Sequence, residues 1–253
     1  MKEEGLTDRK RIWEVDLLRA LAVLGMLYFH WFYLLDFWNL KNTALFVDGW
    51  EIFGNTIRNT FFMVVGAGLV LSYQHSQLKE QSYLSYGIRT MKKGFILLVI
   101  GGLITFWSTF FAPDQVIRFG VLSFIGTGMI LLWPLVPKWY ALAAVTGLLL
   151  WIESQWGEVW NQESLWSYIL GFYPRYWPSL DYFPLEPWLA SISGGALIAS
   201  LIFEKAERRY PFFNLPKFLQ PVIWVGQKAL WIYLLHIPVF AALIWALDKI
   251  GVY

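Results

Sequence analysis

The sequence contains no cysteine and few charged side chains. The lack of cysteine excludes disulfides, zinc–thiolate sites and a cysteine nucleophile. Charged residues make up 15% of the 253-residue chain, whereas a soluble domain has about 25%. The net charge of +2 is too small to indicate a nucleic-acid partner, and no glycine-rich phosphate loop of recognised spacing is present. What the chain has instead is apolar residues, at 57%, with a mean hydropathy of +0.48. This composition favours an integral membrane protein.

Long apolar runs predict the membrane-spanning helices, each of which needs about 20 apolar residues. We predict about seven, at residues 12–35, 52–74, 93–111, 118–136, 138–154, 184–203 and 221–247. Residues 163–173 are too few to span a bilayer and predict a helix at the membrane interface. The fold class is therefore all-α, a polytopic integral membrane helix bundle forming a single domain over 1–253. We expect the first run to stay in the membrane, because no small-residue cleavage site follows it.

The distribution of Lys and Arg predicts the orientation, because cytoplasmic loops are enriched in both. With seven passes, thirteen basic residues fall on the N-terminal side and four on the other. The N-terminus should therefore be cytoplasmic and the C-terminus outside. The sixteen tryptophans are typical of membrane interfaces, and we expect a multi-pass protein of the plasma membrane.

Three polar residues interrupt the first apolar run, "DLLRALAVLGMLYFH". Asp16, Arg19 and His30 fall within about 60° of one helical stripe, and His30 lies roughly 21 Å further along the helix than Asp16. Asp16 and Arg19 are one turn apart and can pair. Charged groups in lipid are costly, so such residues mark functional sites by default. A structural ion pair with a histidine near the outer interface is the alternative.

A second histidine, His236 in "WIYLLHIPVF", lies in the last predicted helix. Its expected height, roughly 22 Å from the cytoplasmic end, matches that of His30. Pro238 can open a local kink that frees carbonyls nearby. A buried histidine bonded to a backbone carbonyl is the alternative.

Five blocks of this sequence, in order, resemble a known family. They are "RIWEVDLLRALAVLGMLYFH", "FFMVVGAGLVLSY", "RFGVLSFIGTGMILL", "DYFPLEPW" and "ALWIYLLHIPV". Together they resemble the small prokaryotic members of the heparan-alpha-glucosaminide N-acetyltransferase catalytic-domain family, within the transmembrane acyltransferases. The resemblance implies transfer of an acyl group, acetyl above all, from cytoplasmic acyl-CoA to an acceptor near the outer face. Ser123 stands where family members often have a histidine, so a mechanism relying on that histidine fails here.

Acyl transfer needs a base, and histidine suits that role near neutral pH. The resemblance implies that His30 is the general base or a transient acyl carrier, supported by His236 and Asp181. Asp181 is alternatively a turn or N-cap aspartate. Arg58, with Asn55 and Asn59 on the same face, could bind the substrate or a developing oxyanion; alternatively Arg58 snorkels from a helix end.

The donor implied by the resemblance is acetyl-CoA or another acyl-CoA, without a metal. Asp16 and Arg19 would line the donor channel, and Arg89, Lys92 and Lys93 would hold the donor phosphates. Positive-inside topology explains the same three cations without a ligand. Eleven aromatics in residues 155–188 fit interfacial anchoring, and also a carbohydrate acceptor. A proton-coupled transporter and a non-catalytic membrane scaffold remain as alternative functions.

Overall fold

The computed structural model describes residues 12–43, 48–156, 165–171, 179–209 and 217–252. Nine α-helices account for most of these residues. They are α1 Trp13–Phe37, α2 Asp48–Leu78, α3 Tyr83–Phe111, α4 Val121–Leu132, α5 Trp139–Trp156, α6 Leu165–Leu170, α7 Leu185–Ile202, α8 Gln220–Gln227 and α9 Ala229–Lys249. A two-stranded antiparallel hairpin, β1 Phe203–Glu204 and β2 Glu207–Arg208, follows α7. The fold class is all-α, as predicted, and this hairpin is the only β-structure among the described residues.

Five of the described helices are long and apolar enough to cross a membrane, namely α1, α2, α3, α7 and α9. They make the chain a multi-pass membrane protein. The predicted fourth span, 118–136, contains only the 12-residue α4, because Pro134 and Pro137 follow it and cannot continue a helix with regular hydrogen bonds. A helix of that length covers about 18 Å, well short of a bilayer core of about 30 Å. Seven passes and the orientation of the termini therefore remain predictions.

The predicted last span, 221–247, is not one helix. It divides at Lys228, whose backbone has φ −101° and ψ 11° and separates α8 from α9. Lys228 N–H donates to the carbonyls of Trp224 and Val225, so the end of α8 is capped by its own backbone. Helix α9 then continues through Pro238 to Lys249.

Two predicted spans begin or end further into the polar sequence than expected. Helix α3 begins at Tyr83, ten residues before the predicted start, because the Ser82 hydroxyl accepts a hydrogen bond from Ser85 N–H at 3.2 Å and caps the helix. Helix α2 runs on to Leu78, four residues beyond the predicted end, and includes His75. The apolar pattern marks the membrane portion of a helix and says little about where its polar extension stops.

The chain falls into two compact units. The first combines Met1–Phe61 with Phe212–Tyr253, so helices from the two ends of the sequence belong together. In it α1 packs against α8 and α9, and Gly226 of α8 lies directly against the backbone of Asp16 and Ala20. A side chain at Gly226 would collide with that backbone. This contact places α8 against the first turns of α1. Helix α9, which follows α8 in the sequence, also packs against α1.

The second unit comprises Phe62–Pro211. Its main packing is between α3 and α4 and between α5 and α7. Gly66 of α2 lies against the backbone of Ile192 and Ala196 in α7, while Gly195 of α7 lies against Met63. Small residues at such crossings let helix backbones approach closely, as is common in membranes.

Candidate functional site

The two predicted catalytic histidines lie next to each other in the first unit. The ring centroids of His30 on α1 and His236 on α9 are 4.8 Å apart, with their planes inclined at 73°. His236 is buried, with 6% of its surface exposed, and His30 is half-buried. The prediction that they share one level is confirmed. The pair joins residues that are 206 positions apart in sequence, because α9 packs against α1.

Each imidazole is held by its own helix. His30 Nδ1 lies 2.9 Å from the Met26 carbonyl oxygen, and His236 Nδ1 lies 2.6 Å from the Tyr233 carbonyl oxygen. A carbonyl can only accept, so Nδ1 carries the hydrogen in both rings and Nε2 carries the lone pair when the ring is neutral. His236 Nε2 is buried and has no hydrogen-bond partner among the described residues. Each ring is therefore held in one orientation by its Nδ1 contact, and Nε2 is the basic nitrogen.

Aromatic rings surround the histidine pair. Phe29 and Tyr33 of α1 have ring centroids 5.7 and 6.3 Å from that of His30. Tyr233 and Phe240 of α9 lie 5.7 and 6.1 Å from His236. This setting keeps the imidazoles in a largely apolar environment, where hydrogen bonds and charges act more strongly than in water.

A polar group on α2 belongs to the same unit. The Arg58 guanidinium donates to the Asn55 side-chain oxygen at 2.7 Å, and the Asn59 amide donates to the Asn55 carbonyl at 2.9 Å. A Cβ at Gly54 would lie 3.2 Å from the Arg58 guanidinium and 3.6 Å from the Phe29 ring. The structure therefore places Arg58 where α2 crosses α1, beside the residue that precedes His30. The prediction that Asn55, Arg58 and Asn59 lie on one face of the helix is confirmed, since Arg58 and Asn59 both bond to Asn55.

The predicted ion pair near the start of α1 also forms. Arg19 Nη1 lies 2.9 Å from Asp16 Oδ1, and the two side chains are 28% and 10% exposed. The backbone of Asp16 is the surface against which Gly226 packs. The pair therefore lies at the α1–α8 contact, about 16–21 Å along the helix from His30 by helical rise.

Asp181 belongs to the second unit, where its carboxylate has a structural task. Its Oδ2 accepts a hydrogen bond from Val121 N–H at 3.0 Å, at the first residue of α4. Ser179 supports the same turn, since its hydroxyl hydrogen is shared between the carbonyl oxygens of Val116 at 2.9 Å and Asp181 at 3.0 Å. Asp181 thus satisfies a backbone N–H at the start of α4 from 60 residues away, although Gly120 is the N-cap residue of that helix. Support of an imidazole by Asp181 stays a prediction.

Aromatic residues accompany Asp181 in its unit. Tyr182 donates from its hydroxyl to the Tyr168 carbonyl at 2.6 Å, and the two rings are 4.7 Å apart. Burial, followed by the neighbouring Tyr182 phenol, raises the pKa of the Tyr168 hydroxyl above its ordinary value. A phenol is protonated at neutral pH already at its ordinary pKa, and this direction keeps the hydroxyl a hydrogen-bond donor.

The three predicted phosphate ligands lie on α3 in the second unit. Arg89, Lys92 and Lys93 are all exposed. Arg89 lines a groove of about 370 Å³ together with Gln81, Ser85 and Ile88. Ser85 lies one turn before Arg89 on the same face of α3 and was not among the predicted residues.

Ser123, at the family's frequent histidine position, is buried against α3. A Cβ at Gly101 would collide with the Ser123 hydroxyl, and Ser123 itself is 7% exposed. The small side chain permits the close packing of α3 and α4 at this point. A histidine here would require α3 to move away.

The apolar helices, with a pair of histidines between two of them, define a multi-pass membrane protein with two imidazole rings inside one of its helix packings. The family model described as heparan-alpha-glucosaminide N-acetyltransferase, catalytic, matches residues 11–238. The chain belongs to this family, which makes it a membrane acyltransferase by class, and the resemblance found in the sequence is confirmed. No curated protein and no solved structure matches the chain.

Proposed function

We propose that this protein transfers an acetyl group from acetyl-CoA to an acceptor amine or hydroxyl, with His30 as the general base. The observation that carries the proposal is the His30–His236 pair, 4.8 Å apart between α1 and α9, in a chain of an acetyltransferase family. Acyl transfer requires a group that accepts a proton near neutral pH and returns it, and histidine is suited to both steps.

In the proposed reaction, His30 Nε2 takes a proton from the acceptor as its nitrogen or oxygen attacks the thioester carbonyl. The carbon–sulfur bond then breaks, and the departing CoA thiolate receives that proton. The Nδ1–H bond to the Met26 carbonyl supports this role because it keeps the Nε2 lone pair available. His236 would stabilise the ring arrangement, and Arg58 would stabilise the negative charge that develops on the carbonyl oxygen. Asn55 and Asn59 would hold Arg58 in place.

The donor and acceptor are further parts of the proposal. The donor phosphates would bind the exposed cations Arg89, Lys92 and Lys93 on the side predicted to be cytoplasmic. Asp16 and Arg19 would line the path of the pantetheine arm, and Asp181 would support the acceptor side. The acceptor would be an amino sugar or another glycan near the outer face of the plasma membrane, as the family description suggests.

The test is turnover by protein in lipid nanodiscs supplied with acetyl-CoA and glucosamine. We expect wild type to release CoA thiol and to form an equal amount of acetylated sugar. His30→Ala should lower turnover by about 10²–10⁴-fold, the usual contribution of a general base. Both products are measured, because thiol release without acetylated sugar would indicate hydrolysis.

His75→Ala is the matched control, since it removes a histidine from α2 outside the pair. It should turn over like wild type. Normal turnover by His30→Ala would contradict the assigned base. Movement of glucosamine across liposomes without any acetylated product would instead favour a transporter.

A further inference from the structure

The histidine pair of the first unit has the spacing of two ligands to one metal ion. The ring centroids of His30 and His236 are 4.8 Å apart. A zinc ion lies about 2.0–2.1 Å from each imidazole nitrogen that binds it, and hence about 3 Å from each ring centre, so two rings at a tetrahedral angle have their centres about 5 Å apart. The observed separation therefore matches that of two imidazoles on one ion.

Both rings are also held in the way that metal-binding histidines usually are. Such a histidine binds the ion through one nitrogen and donates its other N–H to a carbonyl or carboxylate, which fixes the tautomer and the ring. Here the Nδ1–H groups of His30 and His236 are donated to the Met26 and Tyr233 carbonyls. Each Nε2 therefore carries the lone pair that an ion would take, and the orienting contacts form without the ion.

The Nε2 atom of His236 is a polar atom that the packing leaves unsatisfied. His236 is 6% exposed, and its Nε2 is buried without a hydrogen-bond partner among the described residues. A buried acceptor of this kind loses its bonds to water without replacement, so it calls for an explanation. The two rings cannot satisfy each other through Nε2, because both of these nitrogens are acceptors. One cation can satisfy both.

We propose that His30 and His236 bind one divalent transition-metal ion through their Nε2 atoms, with Zn²⁺ as the test case. Imidazole nitrogen suits Zn²⁺, Cu²⁺ and Ni²⁺, whereas Mg²⁺ and Ca²⁺ prefer oxygen. No group of three or more His, Cys, Asp and Glu side chains among the described residues could hold a metal ion, so water completes the coordination. The site is therefore open, unlike the closed four-ligand site of a structural zinc.

Binding has two consequences for the first unit. His30 lies on α1 and His236 on α9, so the ion joins the two helices and stabilises their packing, because it binds the folded state. The ion also occupies the lone pair with which His30 would accept a proton, so it inhibits acyl transfer. This inhibition rests on the proposed function, whereas the binding does not.

Arg58 of α2 opposes the bound ion. Its guanidinium interacts electrostatically with His30, and like charges repel. Arg58→Gln should therefore strengthen Zn²⁺ binding several-fold. Binding at the protein surface, away from the histidine pair, would not respond to this change.

The experiment measures metal binding by the full-length protein in nanodiscs, purified without a polyhistidine tag. The background is low because the chain has three histidines and no cysteine. Calorimetric titration with ZnCl₂ should show one site per chain, and titration with MgCl₂ should show none. His30→Ala and His236→Ala should each weaken Zn²⁺ binding by at least about tenfold, since loss of a group that only orients a ligand costs about 10–100-fold. His75→Ala is the matched control and should bind like wild type.

A second measurement does not depend on the folding of any variant. Wild-type protein with one equivalent of Cu²⁺ should show splitting by two imidazole nitrogens in its electron paramagnetic resonance spectrum. Absence of Zn²⁺ binding by wild type, unchanged binding in both histidine variants, or a Cu²⁺ spectrum without two nitrogens would overturn the proposal. Zinc binding that leaves acetyl transfer unchanged would keep this inference intact and contradict His30 as the base.

Discussion

At the scale of single residues, both histidines use Nδ1 to fix the position of the ring, which leaves Nε2 as the basic nitrogen. The Nδ1 bonds to the Met26 and Tyr233 carbonyls come from the preceding turn of the same helix. No residue from another element is needed to orient either ring. The apolar neighbours then determine how strongly the remaining nitrogens interact with a charge.

The Asp16–Arg19 pair is the second polar group of α1, and it should contribute to stability rather than to the chemical step. Removing one partner from a fully buried pair costs about 3–5 kcal/mol. Because the Arg19 side chain is 28% exposed, we expect a smaller loss, about 2–3 kcal/mol, for Asp16→Asn or Arg19→Gln. The measurement is the free energy of unfolding in mixed micelles.

The exposed pair Glu204–Arg209 is the control for this prediction. Its charged atoms are 3.6 Å apart, and its side chains are 65% and 44% exposed, so Glu204→Gln should cost less than about 1 kcal/mol. The double variant Asp16→Asn/Arg19→Gln should lose less than the sum of the single variants. If either single variant unfolds like wild type and loses only turnover, the pair belongs to the reaction centre instead.

At the scale of helices, glycines determine which elements touch. The α2–α7 contact is reciprocal, because Gly66 lies against the Ile192 backbone and Gly195 lies against the Met63 backbone. The α3–α4 contact is similar, with Gly94 and Gly126 facing each other's carbonyls. In lipid there is little hydrophobic drive between helices, so this close packing supplies much of the association.

Gly66→Ala should therefore separate α2 from α7. The added methyl group would overlap the Ile192 carbonyl oxygen, and relief requires a backbone shift that costs about 1–3 kcal/mol. Gly102→Ala is the control, because nothing lies within 4 Å of a Cβ there. That change should be neutral or stabilising by up to about 1 kcal/mol, since alanine favours a helix. Thermal unfolding of both variants in nanodiscs compares them, and equal stability would show that the α2–α7 contact is loose.

The sequence predicted the apolar helices well and their interruptions poorly. Period and hydropathy located α1, α2 and α7 because each contains one long and mostly apolar run. They could not show the division at Lys228, because a helix end that is capped by its own backbone does not change the pattern of apolar residues in the sequence. The histidine pair was predictable because two rare residues share a depth on separate helices. The contact of Gly226 with the Asp16 backbone was not, because a glycine among apolar residues does not show which helix it will meet.

At the scale of the whole molecule, the distribution of basic residues determines the expected orientation. Exposed Ser82 lies before α3 and exposed Gln220 begins α8, both on the predicted cytoplasmic side. Exposed Asp114 lies between α3 and α4, on the predicted outer side. The proposed path of the acyl group, from cytoplasmic donor to outer acceptor, depends on this arrangement.

Single cysteines test the orientation cleanly, since the chain has none of its own. In intact cells, cysteines placed at Ser82 and Gln220 should resist a membrane-impermeant maleimide, and one placed at Asp114 should react. All three should react after the membrane is permeabilised, which controls for accessibility. The reverse pattern in intact cells would place the N-terminus outside.

The composition of the first unit has a consequence for biosynthesis. Its two parts, Met1–Phe61 and Phe212–Tyr253, are separated by the whole second unit, so α1 is synthesised before the second unit and α9 after it. Contacts between such distant parts of a sequence form slowly. A chain truncated after Gln227 would therefore contain the whole second unit and lack His236. We expect the pairing of His30 with His236 to form only after the second unit has been synthesised.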